Sequence, residues 1–112
     1  LYFSDHGGDP YRKRNPDAAG FKSLQIPMFI YVSDEYKQIF RDSVAAFKEH
    51  RNAYFTNDLM YEVVCNLLQI KSNHYNEDES LLNSSYKYTR EDLMTELGKM
   101  RLADDKEPRK AQ

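Results

Sequence analysis

Asp5 and His6 stand side by side between an apolar opening, Leu1-Tyr2-Phe3-Ser4, and a glycine pair, Gly7-Gly8. A carboxylate and an imidazole in succession, set where a buried strand gives way to a loop, can both turn toward one ion. Oxygen and nitrogen donors of this kind suit Zn²⁺ at about 2.0–2.2 Å. The glycines let the backbone turn without a Cβ clash and leave room for a phosphate or similar group. In open α/β sheets ligands gather at the carboxyl ends of strands, which is where Ser4 to Gly7 falls. The same pair also serves strand-ending turns in which both side chains only satisfy backbone groups, and spacing does not separate the two uses. Arg12, Lys13 and Arg14 follow on the next loop as candidate cations for an anionic head group, in a run that equally reads as solvated surface. His50 and His74 lack ligand spacing and read as surface histidines, and the nine tyrosines are too dispersed to form a stacking platform.

The elements that must position these groups follow from pattern. Leu1 to Ser4 reads as a buried strand ending in Asp5-His6-Gly7-Gly8-Asp9-Pro10. Asp9 to Ser23 is a polar, Pro- and Gly-rich surface loop, of the long kind that is often functional. Ile26 to Val32 is a continuous apolar run that fits a strand covered on both faces, with Pro27 at its beginning because proline cannot donate to a ladder. Ser33 caps a predicted helix from Asp34 to about Glu49, with Tyr36, Ile39, Phe40, Val44 and Phe47 on one face. Thr56 caps a second, through Leu59, Met60, Val63, Val64, Leu67 and Leu68 to Ile70, expected to be the most buried. Lys71 to Tyr88 reads as an extended excursion with Leu81 and Leu82 tucked inward. Thr89-Arg90-Glu91-Asp92 resembles a capping box, predicting a third helix through Leu93, Met94, Leu97 and Met100.

At 112 residues, 40% of them hydrophobic and 30% charged, the chain has room for one small domain and too much apolar content for disorder throughout. Its net charge of −2 provides no general basic field for a phosphate backbone. The single cysteine, Cys65, forms no internal disulfide, and no apolar run approaches the roughly 20 residues that span a bilayer. Two strands that both read as fully buried demand neighbours that so short a chain does not supply, so a larger parent is expected.

The opening Leu-Tyr-Phe-Ser-Asp-His-Gly resembles the metal-binding strand end of the sulfatase-like branch of the alkaline phosphatase superfamily, in particular the bacterial phosphoethanolamine transferases. Ile26 to Ser33 is similar to that family's strand running from a proline to a serine. Tyr54 to Met60, Leu67 to Ile70, Tyr75 and Ser80-Leu81-Leu82 are similar to its late helix and the segment after it, in the same order. The resemblance covers about Leu1 to Tyr88. It implies an α/β fold in which this chain is the carboxyl-terminal portion of an alkaline-phosphatase/sulfatase-like sandwich, with two strands and about three helices in residues 1–103 and a charged tail over 104–112. It further implies that Asp5 and His6 are zinc ligands and that the threonine nucleophile and remaining ligands lie in sequence preceding Leu1; Arg12 and Arg14 are expected to face substrate on their own chemistry, as cations on a loop beside a metal. The implied reaction moves phosphoethanolamine from a phospholipid donor to lipid A or lipopolysaccharide core, with sulfatase-like hydrolysis a variation on it. It would take place at the periplasmic face of the bacterial inner membrane, membrane contact coming through the preceding segments. Two positions depart from the family pattern: Gly8 stands where Glu is common, and Gly8 to Ser23 contains no further His. These bear on substrate class and on a second phosphate contact.

Two other classes fit parts of the pattern. In a ribbon-helix-helix-like DNA-binding module, Ile26 to Val32 would pair with a partner's strand, but Met28, Ile30 and Val32 alternate only with Phe29 and Tyr31, which is poor base-reading chemistry. No nucleic-acid partner is expected. A non-catalytic α/β interaction domain is the preferable reading if Asp5 and His6 point away from each other and no cleft adjoins them.

Overall fold

The structure, a computed structural model, describes residues 1–8, 21–95 and 98–106 and, of Lys22, only the backbone. The chain divides into two units, Leu1–Val32 and Ser33–Gln112. Helices and turns account for nearly all the regular structure, and strands are essentially absent among the described residues.

In the first unit the two expected strands meet at a single antiparallel pair. Tyr2 N donates to Phe29 O at 2.9 Å, Phe29 N donates to Tyr2 O at 3.0 Å, and the two rings stack at 4.9 Å. A second tie, Gly7 N to Ser23 O at 2.8 Å, fastens the other end of the opening segment. The expectation of two covered strands is thus corrected: Tyr2, Phe29 and Tyr31 are 50%, 59% and 84% exposed. An apolar run specifies what a segment would bury, while the covering has to come from other elements. Most of the predicted surface loop, residues 9–20, lies outside the described residues; at its expected end Phe21–Leu24 forms one helical turn, α1.

The second unit starts as its capping residues dictate. Ser33 Oγ accepts from Tyr36 N at 3.1 Å, with Asp34 and Glu35 in the positive first turn. The one predicted helix is two, α2 (Asp34–Ile39) and α3 (Arg41–Glu49), because Phe40 leaves the helical region at φ −112° and ψ 48°. No residue of α2 is buried; it is tied down by the Tyr36 hydroxyl, which donates to Leu67 O at 2.8 Å.

The helix α4 (Met60–Leu68) follows a 3₁₀ turn at Asn57–Leu59. Thr56 does not cap it through its side chain, a correction to the expected role; its Oγ1 is buried. Met60, Glu62, Val63 and Cys65 form the buried face, whereas Leu68 (66% exposed) and Ile70 (45%) lie outside it. The buried face is therefore shorter than the apolar stripe by about one turn. The core joins this face to Ala46, Leu59, Leu81, Leu82, Tyr86 and Leu93. Leu81 and Leu82 do turn inward, from an irregular segment whose backbone is secured locally: Ser80 Oγ accepts from Leu82 N at 3.3 Å, and the Tyr86 hydroxyl donates to Tyr54 O.

Gln69 ends α4 in the left-handed region at φ 56°, while Ile70 N closes onto Cys65 O at 2.8 Å. An L-residue other than glycine is disfavoured there. Gln69→Gly should raise stability by about 0.5–1 kcal/mol despite losing the exposed Gln69 Nε2 to Asn66 O bond, read as a higher urea midpoint at unchanged slope.

Among the described residues the predicted third helix is absent. The reciprocal half of the capping box does form, Asp92 Oδ2 accepting from Thr89 N at 2.8 Å and Thr89 Oγ1 at 2.7 Å. The chain then turns back instead of coiling: Gly98 adopts φ 65°, Met94 pairs antiparallel with Arg101, and Leu102 N donates to Leu93 O at 3.0 Å. Arg90 Nη2 secures the return by donating to the carbonyls of Leu102 (3.1 Å) and Asp105 (2.6 Å). Of the three described face residues Leu93 alone is buried; Leu97 falls outside the described residues.

Glu62, 7% exposed, has its carboxyl held above the usual range by burial, then by the charges of Glu79 and Asp58. Its folded form binds the proton more tightly than the unfolded chain, so its contribution to stability falls as pH rises from the unfolded value of 4.5 through the higher folded one. Asp34 and Asp92 are held low and act in the opposite sense, so the comparison must be between variants. Glu62→Gln should be more stable than the parent at about pH 7, and the gap should close toward about pH 4, in paired denaturation curves.

Candidate functional site

The site is built by the end of the opening segment. Past the Tyr2 to Phe29 pair the chain turns at Ser4, whose hydroxyl donates to His6 O at 2.8 Å across two residues. Asp5 folds back on the same turn: its Oδ1 accepts from His6 N at 3.0 Å. That backbone donor, followed by the nearby His6 charge, holds the Asp5 carboxyl below the usual carboxylate range, so it is ionised at neutral pH.

His6 Nδ1 lies 2.8 Å from Gly7 O. A carbonyl oxygen only accepts, so Nδ1 carries the proton, and Nε2 is the nitrogen left to face Asp5. Nε2 stands 3.9 Å from Asp5 Oδ2, with the two side chains 72% and 88% exposed. With a neutral ring this sets two acceptors face to face, an arrangement relieved by a proton or by a metal cation. Two ligand atoms about 2.0–2.2 Å from a tetrahedral ion stand about 3.3–3.6 Å apart. Exposed side chains close that difference by small rotations, so the pair fits two positions of a zinc site. Among the described residues no third His, Cys, Asp or Glu joins them.

Gly7 matters here for close approach and not for a left-handed turn. A Cβ on it would lie 2.4 Å from Gln25 O and 3.1 Å from Ser23 O, while one on Gly8 would meet nothing within 4 Å. The two glycines look alike in the sequence; the tie to Ser23 distinguishes them and leaves no trace in local pattern. Nothing in the local pattern marks Ser4 as more than the end of an expected strand.

The other candidates separate from this pair. Arg12 and Arg14 lie outside the described residues. His50 is not the surface histidine expected: it is half-buried, its Nδ1 lies 3.0 Å from Leu81 O, and its ring sits 5.6 Å from that of Tyr86. His74 is exposed. Cys65 is buried in the second unit. Among the described residues no helix is long and apolar enough to cross a membrane.

Comparison with family models, with curated proteins and with solved structures gave no match.

Proposed function

We propose that Asp5 and His6 are two ligands of a Zn²⁺ site, and that this chain is part of a metal-dependent transferase acting on phosphoethanolamine-bearing phospholipid and lipid A or lipopolysaccharide core. The observation that carries the reading is the convergence of Asp5 Oδ2 and His6 Nε2 at the end of an extended segment, with Nδ1 protonated toward Gly7. A metal with a histidine ligand is held in this manner, the second ring nitrogen donating to a carbonyl that fixes tautomer and orientation. When bound, zinc supplies charge neutralisation at phosphoryl oxygens and lowers the pKa of a hydroxyl nucleophile. What this chain contributes is one anionic and one neutral donor on a turn with a fixed backbone.

The sulfatase-like α/β sandwich belongs to the same proposal. The exposed aromatic rings of Tyr2, Phe29 and Tyr31 support it, since an extended pair of this composition is completed by further strands and helices. The reading requires the nucleophile and the other zinc ligands to come from outside this chain, at the periplasmic face of the inner membrane. A DNA-reading role is disfavoured by those same rings, which present neither donors nor a cationic edge apart from the hydroxyls of Tyr2 and Tyr31. The convergence of Asp5 and His6 counts against the non-catalytic alternative.

The test is a Zn²⁺ titration of the chain followed at the His6 imidazole by ¹⁵N NMR. Weak, saturable binding that perturbs His6 and is lost in Asp5→Ala is expected, with no phosphoryl transfer by the chain alone, since two ligands leave half of a tetrahedral site unfilled. Turnover by the isolated chain, or zinc shifts indifferent to Asp5, would contradict the proposal.

A further inference from the structure

Ser4 and Gly7 flank the ligand pair, and neither is itself a ligand in the zinc proposal, which uses only the Gly7 carbonyl as the partner of His6 Nδ1. Their contacts nevertheless determine where the pair points. The Ser4 hydroxyl, with one proton to give, spans the turn to His6 O at 2.8 Å and lies 3.4 Å from Asp5 Oδ1. It therefore fixes the backbone between the two ligands and borders the carboxylate. Gly7 is clamped from the other side: its N–H donates to Ser23 O at 2.8 Å, and the approach of Gln25 O excludes any side chain. Its own carbonyl is the acceptor that keeps the proton on His6 Nδ1. A ring able to flip or to exchange tautomers would present Nε2 to Asp5 only part of the time, and affinity falls with that fraction.

We propose that Ser4 and Gly7 are positioning residues for the Asp5–His6 pair, Ser4 through its hydroxyl bridge to His6 O and Gly7 through the carbonyl that anchors His6 Nδ1 against the Ser23–Gln25 segment. The inference rests on the zinc reading. Outer partners of metal ligands typically contribute about 10–100-fold in affinity.

The experiment uses the full chain and Zn²⁺ alone, with two readouts at His6: the metal-free tautomer from long-range ¹H–¹⁵N couplings, and the zinc affinity from the same resonances. Ser4→Ala should weaken zinc binding about tenfold and mix the tautomers, and Ser4→Thr, which keeps the hydroxyl, should restore both. Gly7→Ala should weaken binding further; because the Cβ meets backbone and can disturb residues 1–32 as a whole, the serine series carries the decision. Zinc binding lost in Asp5→Ala but unchanged in Ser4→Ala overturns the positioning role and leaves the zinc reading standing. A wild-type His6 that is not protonated on Nδ1 at neutral charge overturns it before any metal is added. Zinc that ignores Asp5 and His6 in every variant overturns both.

Discussion

In the complete transferase that the proposal envisages, replacing Asp5 and His6 together by Ala should lower turnover by about 10³-fold or more and strip the metal, while leaving the chain folded. The size follows from what the ion does. Zinc supplies several kcal/mol of charge stabilisation in a phosphoryl-transfer transition state, and about 4 kcal/mol corresponds to roughly 10³ in rate. Two of four ligands are lost, so weak residual binding by the remaining pair cannot hold the site's geometry. The fold should not respond, because both side chains are largely exposed. Measured zinc content and transfer rate should therefore fall together while the thermal transition of the second unit stays in place. Wild-type metal content in the double variant would end the zinc assignment, and an unchanged rate would end the mechanistic one.

The single variants sharpen that result. Asp5→Asn keeps an oxygen donor and an acceptor for His6 N but removes the charge, so it isolates the electrostatic part of the carboxylate's role from the turn it helps to shape. Asp5→Asn should fall between wild type and Asp5→Ala in zinc affinity.

Where helical period and capping chemistry agreed with tertiary packing, the elements were legible. Ser33 with Asp34 and Glu35 announced the start of α2, and the spacing of Met60 and Val63 announced the buried face of α4. Legibility ended where a non-local contact decided the outcome. The break at Phe40 follows no proline or glycine, and the return of the chain after Gly98 depends on Arg90 reaching carbonyls twelve to fifteen residues away. The period of Leu93, Met94, Leu97 and Met100 suits a helix face in isolation, yet one glycine in the left-handed region and one half-buried guanidinium direct the segment elsewhere. At the proposed site, residue types point to Asp5 and His6, since metal chemistry needs those atoms. The contacts of Ser4 and Gly7 were not legible, because both involve backbone atoms, in Gly7's case those of a segment some sixteen residues on.

Leu82→Ala should cost about 2–5 kcal/mol, the largest stability effect expected of any single truncation here. Leu82 is 3% exposed and, with Leu81, brings the irregular segment onto the buried face of α4. Removing its branched end deletes transfer free energy and leaves a cavity that the surroundings close only partly. Relaxation is restricted there. Ser80, fully buried, accepts from Leu82 N, the carbonyl of Leu81 is engaged by His50, and Tyr86 is bonded to Tyr54 O four residues later. The backbone therefore cannot shift inward without breaking one of these bonds, which places the cost in the upper part of the range. Leu68→Ala is the matched control: the same atoms are removed from a side chain 66% exposed, and the change should stay within about 0.5 kcal/mol. At roughly 4–8 °C per kcal/mol for a unit of this size, the two variants should melt at least about 6 °C apart. Coincident melting curves for the two would mean that the segment around Leu82 does not form part of the cooperative core, and the packing described for the second unit would have to be redrawn.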